Sequence, residues 1–161
     1  MSNNLIICNP TSSTPCNWIK ILNNDIENTG IGIQLRANDV LISGNTFNNI
    51  LADMIRQHGD RLTVRNNIVI GETDSNNVHM DFWQSFCSAG GAGASFGLIE
   101  NNEFIDISGG NVHFALVNAN IKCGDATTNM IYRFNKVRNI GSMAIYIDNN
   151  QAAPGGRDNS I

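Results

Sequence analysis

The sequence predicts an all-β chain, a right-handed parallel β-helix: a single-stranded solenoid of about five coils with two longer loop insertions. Three observations predict it. One eight-residue frame recurs five times, the apolar residues alternate at period two, and asparagine accounts for 26 of 161 residues. Asparagine tolerates left-handed backbone and bonds to neighbouring peptide groups, so it suits the corners of a repeat.

The frame is apolar-x-apolar-x-x-Asn-x-apolar. It runs Ile19, Ile21, Asn24, Ile26; then Val40, Ile42, Asn45, Phe47; then Leu62, Val64, Asn67, Val69. Gly97, Ile99, Asn102, Phe104 and Met130, Tyr132, Asn135, Val137 complete it. The asparagines are 21, 22, 35 and 33 positions apart, so the bare coil is about 22 residues long and two coils carry insertions. A second apolar stretch follows each frame: Ile31/Ile33/Leu35, Met54/Ile55, Val78/Met80/Phe82/Trp83, Val112/Phe114/Leu116 and Met143/Ile145/Ile147. Such short strands cannot bury an apolar face alone and must stack coil on coil. Stacking would set Asn24, Asn45, Asn67, Asn102 and Asn135 above one another as a structural ladder. The expected domain is single, 1–161, with core coils over 18–150 and inserted loops at about 84–96 and 119–129. The chain shows no capping helix, and it reads as a fragment of a longer β-helix that self-associates or joins an assembly.

A formal charge of −4 with only ten Lys plus Arg argues against a nucleic-acid surface. No apolar run approaches the ~20 residues of a membrane span. Cys87 and Cys123 lie 20 and 21 positions past Asn67 and Asn102, a register that suits a disulfide between neighbouring coils. Cys8 and Cys16 flank a Pro-containing segment as a second pair, and free thiols are the alternative for all four. A cysteine zinc site lacks its C-x-x-C.

The frame, with its Gly30-Ile31-Gly32-Ile33 and Asp53-Met54-Ile55 strands, resembles the pectin-lyase-like superfamily of right-handed β-helix proteins over about 19–150. That group holds polysaccharide lyases, polygalacturonases, alginate epimerases and phage tailspikes, so the resemblance speaks for fold and leaves activity open.

Aligning the second stretches on Ile33, Ile55, Trp83, Val117 and Ile145 places Gln34, Arg56, Gln84, Asn118 and Tyr146 in the next, outward column. Two positions before the inward column stand Asp53 and Asp81, and His79 is expected to stack on His113. This row nominates Asp53, Asp81, His79 and Arg56 for catalysis. Trp83, Gln84, His113, Asn118, Gln34 and Tyr146 are nominated for substrate contact, with Trp83 readable as core or as a sugar platform. Carboxylates and imidazoles suit general acid–base work, and amides bond sugar hydroxyls. His79-Met80-Asp81-Phe82-Trp83-Gln84 resembles an H-x-D-x-x-Q strand of carbohydrate-active β-helices. The resemblance implies Ca²⁺ shared by Asp53 and Asp81, and an arginine base in the manner of pectate lyases, which would be Arg56. The Asn-Thr-Asp, Asp-Asp and Gly-His-Gly set of polygalacturonases is absent. The expected function is therefore a carbohydrate-active domain that binds an extended, uronate-containing polysaccharide, with cleavage or modification by a lyase or hydrolase left open. The alternative is a non-catalytic structural or adhesive module of a virion tail or cell surface. Either implies an extracellular, cell-surface or virion setting.

Overall fold

The computed structural model describes residues 4–8, 16–72, 79–85, 94–118 and 127–148. The chain is all-β, without a helix among the described residues, and every strand pair is parallel. Strands form a 12-stranded and a 5-stranded sheet. No helix among the described residues is long and apolar enough to cross a membrane.

Neighbouring strands come from successive repeats. In the 5-stranded sheet Ile26 pairs with Phe47, and Val69 pairs with both Phe47 and Phe104, which pairs in turn with Val137. In the 12-stranded sheet the column runs Ile21, Ile42, Val64, Ile99, Tyr132. These are the apolar positions of the frame, and nearly all are buried. Phe82 forms the centre of the interior. It stacks on Phe114 at 5.1 Å and meets the Phe47 ring edge-on at 6.4 Å and Phe104 at 6.0 Å.

Between sheets the chain turns through left-handed residues, and these also recur in columns. Trp18, Asp39, Arg61, Phe96 and Asn129 form one; Asn23, Gly44, Asn66, Asn101 and Phe134 the second; Asn28, Asn49, Gly71, Asp106 and Asn139 the third. All fifteen have φ between 50° and 74°. Asparagine, aspartate and glycine fill most of these places because they enter that region at little cost. The three aromatics do not, and they stand out into solvent: Trp18 is 79% exposed, Phe96 63% and Phe134 77%. Phe96→Asn is accordingly expected to raise stability by about 0.5–1 kcal/mol, since backbone strain is relieved and little burial is lost. A urea midpoint that fell instead would show the ring to be packed.

The frame asparagines bond directly to one another. Each Nδ2 of Asn24, Asn45, Asn67 and Asn102 donates to the next Oδ1 at 2.9–3.0 Å. Cys8 and Cys16 form a disulfide beside the strand Ile31–Asn38, with which both pair. Cys87 and Cys123, most of the two expected loops, and the C-terminal segment from 149 lie outside the described residues.

Candidate functional site

Three neighbouring strands, Ile55–Asp60, Met80–Ser85 and Val112–Asn118, carry the polar cluster. Their register differs from strict alternation at one place. Met54/Ile55, Phe82/Trp83 and Phe114/Ala115 are successive residues that are both in the core. Two adjacent inward residues reverse the side reached by the residue before them. Asp53 and Asp81 therefore lie with the outward Arg56 and His79 instead of in the apolar interior.

Around Asp53 the bonds are tight. Its Oδ2 accepts from Arg56 Nε at 2.8 Å and also from Nη2, while its Oδ1 accepts the Asp81 backbone N–H at 3.2 Å. Asp81 lies across the pair from His113, and His113 Nδ1 stands 2.9 Å from Asp81 Oδ1. His79 Nδ1 is 3.0 Å from the other oxygen, Asp81 Oδ2. The amide Nε2 of Gln84 is 3.3 Å from the same His79 nitrogen. Both aspartates are wholly buried and His113 nearly so, whereas the His79 side chain is 31% exposed and that of Arg56 23%.

Burial dominates the electrostatics. It pushes the Asp81 carboxyl up to about 7; the His113 hydrogen bond opposes the rise, and the neighbouring Asp53 charge adds to it. Burial raises Asp53 as well, against the pull of the Arg56 guanidinium. Tyr132, also buried, is raised for the same reason.

The expected column is met in register at Gln34, Arg56 and Gln84, which pair in that order; Gln34 and Arg56 are half-buried, whereas Gln84 is buried. Leu116 follows, in place of Asn118, and then Tyr146. The register turns on Ala115, the partner of Trp83, and not on Val117, so Asn118 pairs with Asp148 two positions along. The side chains of Asn118 and Tyr146 lie outside what is described. By the same two positions Asp81, not His79, is the partner of His113, although the two imidazole rings remain 5.2 Å apart. Trp83 is not a sugar platform. It is wholly buried and meets the edge of Tyr132 at 6.3 Å.

A Ca²⁺ ion shared by Asp53 and Asp81 does not fit. Ca²⁺ takes six to eight oxygens, but here Arg56 already neutralises Asp53 and two imidazole nitrogens face Asp81. The aromatics Trp18, Phe96 and Phe134 are the exposed features that alternation did not single out. At Phe134 the signal in the sequence is a ring where the other repeats carry Asn or Gly; the column of Trp18 and Phe96, which also holds Asp39, Arg61 and Asn129, carries no such mark. No known protein family, curated protein or solved structure matches the chain significantly.

Proposed function

We propose that the stacked parallel sheets wind as a right-handed β-helix of the pectin-lyase-like kind, and that the domain binds an extended, uronate-containing polysaccharide. The observation that carries this reading is the row Gln34, Arg56, Gln84 on three neighbouring strands, with His79 beside it. Such strands are ~4.8 Å apart, so the half-buried Gln34 and Arg56 offer an amide and a guanidinium side by side, with Gln84 buried next to His79. Amides bond hydroxyls, and a guanidinium bonds a carboxylate. An extracellular or virion surface is the setting this implies.

A second reading, a rigid non-catalytic spacer, is favoured by the burial of Asp53 and Asp81, which keeps both carboxylates from direct contact with a polymer. Affinity electrophoresis through gels holding polygalacturonate, alginate or a neutral glucan separates the two. The uronate gels should retard the chain. Arg56→Gln should weaken this about tenfold, one lost charged contact, and Gln34→Ala about threefold. Gln34→Ala leaves the Asp53–Arg56 pair in place, and its urea midpoint set beside that of the parent separates lost binding from lost folding. Free migration in every gel would overturn the polysaccharide reading and leave the spacer.

A further inference from the structure

His79, Asp81 and His113 offer three ligand atoms that all lie within 4.8 Å of one another. We propose that these residues form a binding site for a divalent first-row transition ion of the Zn²⁺ type. The site shares His79 with the polysaccharide reading but does not depend on it, and survives if that reading fails.

The geometry poses a specific problem that a cation solves. Asp81 Oδ2 is buried and accepts no hydrogen bond. It nevertheless faces His79 Nδ1 at 3.0 Å. The Gln84 Nε2 amide stands 3.3 Å from the same nitrogen. An imidazole nitrogen and a carboxylate oxygen thus face each other inside a site from which water is largely shut out, where either a proton or a cation holds them together. On the other side His113 Nδ1 stands 2.9 Å from Asp81 Oδ1, so both imidazoles turn the same nitrogen towards one carboxylate.

The donor set chooses the ion. Imidazole nitrogen suits Zn²⁺, Cu²⁺, Ni²⁺ and Fe²⁺, whereas Ca²⁺ and Mg²⁺ take oxygen. Ligand atoms on a tetrahedral Zn²⁺ lie about 3.3 Å apart for bonds of about 2.0–2.1 Å. His113 Nδ1 to Asp81 Oδ1, 2.9 Å, and His79 Nδ1 to Asp81 Oδ2, 3.0 Å, are each a few tenths short of that, and with one carboxylate oxygen as ligand the three donor atoms lie within 4.8 Å of one another. Three protein ligands leave one position for water or a substrate, the pattern of catalytic zinc sites. Entry is by way of His79, the partly exposed member. Two ligands come from one strand region, His79-x-Asp81, and the third from the paired strand opposite Asp81. The site therefore exists only when two neighbouring repeats are in register.

The test is titration of the chelator-treated 161-residue chain with Zn²⁺, followed by gel filtration and elemental analysis. One Zn²⁺ per chain should be retained, with Kd below about 1 μM, while Ca²⁺ binds with no measurable heat. Co²⁺ in its place should give the visible absorption of a tetrahedral nitrogen–oxygen site. His79→Ala and His113→Ala should each weaken binding about 100-fold, equivalent to about 2.7 kcal/mol. Should His113→Ala unfold, His79→Ala decides, because that residue is outside the strand and partly exposed; its circular dichroism is expected to match the parent. Failure to retain Zn²⁺ would overturn the proposal and leave a shared proton between His79 and Asp81. Retention unaltered in a folded His79→Ala chain would overturn it equally, as surface binding elsewhere.

Discussion

Asn67→Ala is expected to remove a large part of the chain's stability. The residue is wholly buried. Its Oδ1 accepts the backbone N–H of Asn45 at 2.9 Å and the Asn45 side-chain amide at 3.0 Å. Its Nδ2 donates to Asn102 Oδ1 at 3.0 Å and to the Ile42 carbonyl at 3.1 Å. Alanine leaves the Asn45 N–H and one Asn45 amide hydrogen without their shared acceptor in a dry interior, while the Ile42 carbonyl keeps its place in the strand ladder. At about 1–3 kcal/mol for each of the two orphaned donors, the loss is about 2–6 kcal/mol. Set against a total of about 5–15 kcal/mol for a domain, that approaches global unfolding. The companion Asn24→Ala should cost about 1 kcal/mol or less, since Asn24 is solvent-exposed and one donor removed there is replaced by water. Asn67→Asp separates shape from donation: it keeps the acceptor, loses both donors and sets a carboxylate against Asn102 Oδ1. It should be as damaging as alanine at pH 7 and recover partly on acidification, where the carboxyl regains a proton. Urea midpoints by circular dichroism read all three. An Asn67→Ala chain within 1 kcal/mol of the parent would show that the ladder does not hold the repeats in register.

The ladder was legible because its spacing is written directly in the chain. Intervals of 21, 22, 35 and 33 between the frame asparagines are the separations of the hydrogen-bonded pairs. The corners were legible only in composition. An excess of asparagine foretells left-handed turns, but Asp39, Arg61 and Phe96 share a column with Trp18 and Asn129, and no residue type marks that column. The second strand of each repeat was harder for a definite reason. Alternation assumes one inward residue in two, and at Phe82/Trp83 and Phe114/Ala115 two in succession are inward. Ala115 is small enough to be passed over in favour of Val117, and the error of two positions carried Asn118 and His113 with it. The residue types of the site could be found from the density of His, Asp and Gln over 79–84. Their burial could not, because it follows from Arg56, His79 and Gln84 closing over the two carboxylates, which is a tertiary effect.

Trp83→Ala is the substitution that tells a core ring from a sugar platform, and the expected result is a loss of about 3–5 kcal/mol. The side chain is wholly buried, stands across from Ile55 and Ala115 on the two neighbouring strands and packs against Tyr132. Ala115 is too small to move into the space, so the cavity would persist and add to the lost burial. Trp83→Phe should be far milder, about 1 kcal/mol. The smaller ring sacrifices packing but also removes the indole N–H, which is buried without a hydrogen-bond partner and costs about 1–3 kcal/mol where it stands. Because Trp18 is the other tryptophan and is 79% exposed, a Trp18→Phe background isolates the Trp83 emission. That emission should be blue-shifted in the folded chain and shift red on unfolding, with its midpoint coinciding with the circular dichroism midpoint. A platform would behave oppositely: red-shifted emission in the folded chain, sensitive to added polymer, and a Trp83→Ala variant as stable as its parent. Stability lost together with unchanged affinity for polymer, in whatever fraction remains folded, places the indole in the interior and assigns any binding to the row at Gln34 and Arg56.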